Sequence, residues 1–231
     1  MRRLFHLPGL LAMGFAVTGC MMETGTVEEV PPPSRAVTAA APVVQPLTPV
    51  LDPATLAHYA ALPDGSRTVP AIDVTKYHPA LLRNEVAFET AEAPGSVVID
   101  TKGPFLYYIE GEGRATRYGI AVGREGFGWT GQGVIARSAR WPTWTPPPAV
   151  IARDPSLERW REGQPGGVNN PLGARALYIY FDGHDSGYRI HGTNHPGRIG
   201  YAASSGRFRM LNQDVIALQN RVKPGAHVVV M

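Results

Sequence analysis

Apolar and polar positions divide the chain into stretches of different character. Leu10 to Val17 is a short apolar run behind Arg2 and Arg3. It is too short for a membrane span, which needs about 20 apolar residues. From Met21 to Leu51 there is no aromatic residue, and Pro31, Pro32, Pro33, Pro42, Pro46 and Pro49 stand among Ala, Thr and Val. Proline fixes φ and lacks a donor, so this composition predicts an extended, partly stiff tether. At ~3.1 Å per residue it would reach on the order of 90 Å. Order is expected from Asp52: Asp52-Pro53 reads as a helix cap and first helical residue, with Leu56, Tyr59 and Ala60 on one face. The segment to Ala93 is mixed, with a helical turn from Pro79. It reads as an N-terminal extension packed on the main domain, or as a small separate domain.

From Gly95 the pattern becomes short β-rich runs punctuated by Gly and Pro: Val97–Asp100, Phe105–Glu110, Thr116–Val122, Leu177–Phe181, Tyr188–His191 and His227–Val230. Two helices are expected between them. One starts at Asp154-Pro155 and ends before Gly163; the other has Asn212 as N-cap, runs to Arg221 and stops at Lys223-Pro224-Gly225. Val215, Leu218 and Val222 give the second an apolar face at core spacing. Gly123-Arg124-Glu125-Gly126 and Gly131-Gln132-Gly133 read as turns rather than ligand cradles. The sum is a mainly β domain with a late helix.

Composition narrows the function classes. The 231 residues are 44% hydrophobic and 18% charged, which excludes collagen, coiled coil and wholesale disorder. The 22 basic residues, 19 of them Arg, face 19 acidic ones and form no basic run, so no nucleic-acid partner is expected. Cys20 is the one cysteine, which excludes an intrachain disulfide, a cysteine metal cluster and a cysteine nucleophile in the folded part.

The order Arg2-Arg3, apolar run, Val17-Thr18-Gly19-Cys20 resembles the bacterial lipobox, whose cysteine is lipidated. The resemblance implies a signal peptide over 1–19, a membrane anchor at Cys20, a tether over 20–51, an extension over 52–94 and a main domain over 95–231. The protein would face the periplasm in the cell envelope; Met21, rather than Asp, after the cysteine favours the outer membrane over the inner. A plain secretory signal with a chance cysteine is the alternative. Cleavage before Cys20 would leave 20 basic and 19 acidic residues, so the pI of about 9.1 says little about a partner.

The candidate chemistry lies between His191 and Met210. His191-Gly192-Thr193 is followed by Ser204-Ser205-Gly206-Arg207-Phe208-Arg209-Met210 and then Leu211-Asn212-Gln213-Asp214-Val215. Upstream stand Tyr118–Gly123, Trp141–Pro147 and Asn170-Pro171-Leu172-Gly173. Together, and in this order, these segments resemble the L,D-transpeptidase (YkuD-type) family of peptidoglycan enzymes over Gly95 to Met231. The resemblance implies an L,D-transpeptidase-like β-sandwich with one or two helices. It also implies a groove for peptidoglycan peptide stems, without a cofactor. In the family mechanism a thiolate attacks the stem carbonyl, expels a D-amino acid and passes the acyl group to an amine of another stem. His191 matches the histidine that activates the thiol, Gly206 the turn, and Arg209 the residue after it.

Arg207 occupies the position of the family's cysteine. A guanidinium stays protonated and cannot act as the nucleophile, and loss of a nucleophile costs about 10⁶ in rate in well-studied proteases. The leading expectation is therefore a non-catalytic envelope lipoprotein that holds peptide stems or regulates active relatives. Arg207 and Arg209 would grip stem carboxylates, with Ser205, Gly206, Thr193, Trp141 and Trp144 along the groove. Arg207 could instead fill the pocket or point to solvent, and the tryptophans could be core. Three alternatives remain: an active transpeptidase or carboxypeptidase using Ser204 or Ser205, a sequence error at Arg207, and a spacer that binds nothing. His184, His191 and His195 with Asp182 and Asp185 match no closed zinc pattern, so no metal site is expected.

Overall fold

The structure is a computed structural model that describes residues 52–123, 130–204 and 207–231. The signal and tether, Cys20, Arg124–Gly126, Ser205 and Gly206 lie outside the described residues. A short helix, α1 (Pro53–His58), opens the described chain, with the Asp52 carboxylate accepting from the Thr55 N–H at 2.7 Å as its cap. Of its expected face only Tyr59 is buried; Leu56 is 49% exposed, a correction to the reading of that face. A two-stranded ribbon follows, β1 (Leu62–Asp64) and β2 (Arg67–Val69). The turn expected from Pro79 is a 3₁₀ turn over Pro79–Leu81.

The remaining strands are β3 (Asn84–Ala87), β4 (Val97–Asp100), β5 (Phe105–Gly111), β6 (Arg114–Gly119), β7 (Val122–Gly123), β8 (Gly131–Arg140), β9 (Arg175–Phe181), β10 (His184–His191), β11 (Ala202–Ser204), β12 (Arg207–Arg209) and β13 (Ala226–Val230). Nine of them form one sheet in the order β12-β10-β9-β8-β13-β4-β5-β6-β3, and β7 pairs with β11 beside it. Two helices, α2 (Pro148–Arg153) and α3 (Asn212–Gln219), complete the set. The fold is mainly β, as the sequence pattern predicts.

One core cluster draws side chains from nearly the whole sheet. It runs from Tyr118 and Leu106 through Val97, Val228, Ile135 and Ile179 to Ile190 and Phe208, and α3 adds Val215 and Leu218. A second cluster on the opposite face holds Phe88, Val98, Tyr107 and Val229. Adjacent residues such as Val97 and Val98 thus bury into different clusters, as strand alternation requires. Each large aliphatic side chain contributes about 1.5–3 kcal/mol when fully buried.

Several local expectations are corrected. Gly131-Gln132-Gly133 is not a turn; it opens the ten-residue β8, which pairs with β13 on one side and β9 on the other. Gly133 is glycine because a side chain there would meet the Phe181 ring at 2.8 Å. The run Thr116–Val122 divides: β6 ends at Gly119, Ala121 exchanges two backbone hydrogen bonds with Arg209, and the chain then continues as β7. The helix at Asp154 is a 3₁₀ segment, Pro155–Trp160, capped as expected by Asp154. Asn212 is not the cap of α3 but its first residue, because its side chain is used elsewhere.

Candidate functional site

The site lies at the β10–β12 edge of the sheet. The two strands run parallel, with Arg189 opposite Arg207, Ile190 opposite Phe208 and His191 opposite Arg209. Ile190 and Phe208 point into the core. Alternation therefore sends His191, Arg189, Arg207 and Arg209 to the other face together. Backbone bonds lock the arrangement: Met210 N–H donates to His191 O at 2.8 Å, and Arg209 and Ala121 bond each other at 2.9 and 3.0 Å.

His191 is 1% exposed. Its Nδ1–H donates to the Gly192 carbonyl at 2.6 Å, which fixes the tautomer and leaves Nε2 with a lone pair. Nε2 is buried with no hydrogen-bond partner among the described residues. Burial foremost, and then the neighbouring Arg207, hold the imidazole pKa down at about 3. Arg209 and Arg189 push in the same direction. The ring is therefore neutral at physiological pH.

Burial also lowers the Arg207 pKa, with Arg209 and Arg189 adding like-charge repulsion; Arg209 is lowered by burial and by Arg198. Arg189 has its own counter-charge, both terminal nitrogens reaching Asp185 at 2.7 and 2.8 Å. The edge is thus a concentration of guanidinium groups around a neutral histidine. An anion among them would offset both repulsion and lost solvation.

The loop carrying His191 is fixed by Asn212. Its Oδ1 accepts from Ala174 N–H at 2.9 Å and Thr193 N–H at 3.2 Å, and its Nδ2 donates to Thr193 O at 2.8 Å. The amide threads between Gly173 and Gly192, and a Cβ on either glycine would collide with its oxygen. Gly173 also has φ +62, which a side chain would strain. Asn170, fully buried, builds the preceding turn: its Nδ2 reaches the carbonyls of Pro142, Gln164 and Pro165, and its Oδ1 accepts from Leu172 N–H.

The structure brings His191, Arg207 and Arg209 together and ties Thr193 to them through Asn212. It gives Trp141 and Trp144 different partners. Trp141 lies under the Arg67 guanidinium, 5.5 Å from the ring centroid, and packs with Val69, Ala174 and Ile216. Trp144 is 7% exposed and exchanges backbone bonds with Gln164. Ser204 ends β11, and Ser205 and Gly206 are outside the described residues. Of the residues weighed for a metal, Asp185 is committed to Arg189 and the Gly187 N–H. Sequence reasoning missed Arg189, although it lies two residues before His191 on a strand and so shares its face. It also gave Asn212 the wrong task.

The sequence model of the YkuD L,D-transpeptidase catalytic domain matches residues 94–230. A protein of Fuscovulum blasticum, named for an L,D-transpeptidase in the ATP synthase subunits region, is 30% identical over 168 residues, 66% of this chain and 82% of that one. The Escherichia coli protein named "Probable L,D-transpeptidase YbiS" is 32% identical over 139 residues, 58% of this chain and 43% of that one. The chain thus spans less than half of YbiS. A crystal structure from Brucella melitensis, described as a probable carnitine operon oxidoreductase, is 43% identical, covers 69% of this chain and 99% of that one, and superposes with a TM-score of 0.47.

Proposed function

Because the chain belongs to the L,D-transpeptidase (YkuD) catalytic-domain family, we propose that it binds peptidoglycan peptide stems and does not turn them over. In this reading it is a lipoprotein anchored through Cys20, facing the periplasm from the outer membrane, with the tether letting the domain reach the cell wall. The observation that carries the reading is the guanidinium of Arg207 on the same face as a buried, neutral His191. Cysteine acyl transfer needs a thiolate, and a histidine that accepts its proton to become imidazolium. Burial and Arg207 both oppose an imidazolium here.

Binding asks less of the same residues. Peptide stems end in free carboxylates, and a guanidinium grips a carboxylate through two parallel N–H donors. Arg207 and Arg209 stand two residues apart on one strand face and lack the full solvation of surface arginines. Each charged hydrogen bond to such a carboxylate is worth about 1.5–3 kcal/mol.

The test incubates wild type and Arg207→Cys with disaccharide-tetrapeptide and reads products by mass spectrometry, beside sedimentation with purified sacculi. Wild type should sediment and release nothing. Arg207→Ala and Arg209→Ala should each weaken sedimentation about tenfold or more. Release of a D-amino acid by wild type would overturn the reading and direct attention to Ser204 and Ser205.

A further inference from the structure

Three consecutive side chains at the start of α3 reach in two directions. Asn212 holds the loop of His191, bonding Thr193 and Ala174. Gln213, 1% exposed, donates to Pro70 O at 2.8 Å and Ala60 O at 3.4 Å. Asp214, fully buried, accepts from His58 Nε2 at 2.8 Å and from the Tyr59 hydroxyl at 3.0 and 3.2 Å on its two oxygens. The Tyr59 oxygen in turn accepts from Arg83 N–H at 2.7 Å. The partners of Gln213 and Asp214 lie at residues 58–70, before the span that matches the family, whereas the partners of Asn212 belong to the site.

We infer that residues 52–70 are a clamp that positions the His191 site from outside it, through the first turn of α3. A helical turn is stiff, so side chains fixed at its second and third residues also fix the direction of the first. If Asp214 and Gln213 lost their partners, a buried carboxylate and a buried amide would be left unsatisfied. The turn would relieve this by rotating or fraying. Asn212 would move with it, and with Asn212 the Gly192–Thr193 segment, whose Gly192 carbonyl sets the His191 tautomer. The stem-binding site would then be complete only when the N-terminal segment is docked, which makes His58, Tyr59, Gln213 and Asp214 positioning residues. The binding arm of this inference rests on the function proposed above; the positional arm does not.

The experiment uses the full chain with two readouts: the ¹H–¹⁵N signal of the His191 ring Nδ1–H, and affinity for disaccharide-tetrapeptide. Asp214→Val and His58→Phe should shift the His191 signal and lower affinity at least fivefold. Asp214→Asn should restore both, because an amide oxygen still accepts from His58 and Tyr59. Val98→Ala lies in the cluster on the opposite sheet face; it should reduce stability and leave both readouts unchanged. If Asp214→Val does not fold, His58→Phe decides, since His58 comes from α1 rather than the core of the sheet. An unmoved His191 signal in a folded His58→Phe variant overturns the clamp. Movement of that signal by Val98→Ala also overturns it, because the effect would then be general loosening. If wild type binds no stem fragment, the proposed function fails, while the His191 signal still decides the clamp.

Discussion

The histidine at the site makes the stability of the fold depend on pH in a way that can be calculated. In the native protein the His191 pKa is held at about 3, whereas in the unfolded chain it returns to about 6.5. Between these values the unfolded chain binds a proton that the native state does not. Stability is therefore present in full above about pH 6.5 and is lost as pH falls toward 3, by up to about 1.4 kcal/mol per unit. From pH 7 to pH 4.5 this one group should remove about 2.5 kcal/mol, a large part of the 5–15 kcal/mol typical of a domain. The perturbation is His191→Gln, which keeps a donor for the Gly192 carbonyl and does not titrate. Urea unfolding of both proteins at half-unit steps, followed by tryptophan fluorescence, gives the two curves. The difference between them should change by about 2.5 kcal/mol over that range. Arg207→Ala should recover only part of the arm, since burial is the larger cause and Arg207 the second. Parallel curves for wild type and His191→Gln would refute the reasoning, because they would mean the ring takes up a proton in the folded protein as readily as in the unfolded chain.

Two further outcomes follow from named contacts. Asp64 accepts from Arg175 at 2.6 and 3.0 Å and from Arg140 at 2.5 Å, which holds its pKa down at about 2. Asp64→Asn should cost about 3 kcal/mol at neutral pH by leaving Arg175 without its counter-charge, and should remove a share of the acid unfolding between about pH 4 and pH 2. Calorimetry on the two proteins checks both. Gly192→Ala would force a methyl against the Asn212 oxygen, at about 1–3 kcal/mol. Its signature is a displaced His191 ring signal, and an unchanged one would show that the loop yields without cost.

The strands rich in Val, Ile, Leu and Tyr were legible as short runs of β-branched and aromatic residues bounded by Gly and Pro, although burial on both faces leaves them no period of two. Val97–Asp100 appears with the expected bounds, and Phe105–Glu110 and His227–Val230 differ by one residue. β8 was not legible: Gly131, Gly133, Arg137 and Arg140 carry little apolar signal, and its place comes from partners on both sides. Leu56 failed as a core residue because α1 is held by Asp52, His58 and Tyr59 rather than by an apolar stripe. At the site, His191, Arg207 and Arg209 could be picked out through the resemblance of their segments to the L,D-transpeptidase family. The part played by Asn212-Gln213-Asp214 could not, since a polar triplet at a helix start looks like ordinary capping. Only the tertiary structure shows one side chain turned toward the histidine loop and two toward residues 58–70.

The position of β13 has a consequence for how the sheet closes. Residues Ala226–Val230 lie mid-sheet with β4 on one side and β8 on the other. Val228 pairs with Val97, so the ladder closes across most of the folded chain. Until Ala226–Val230 are seated, β4 and β8 each present an open edge and the sheet is in two pieces. Closure of the sheet must therefore wait for this segment, and such long-range closure is slow. A chain cut short before Ala226 would keep both edges and every segment of the binding site, yet would behave as an aggregating fragment.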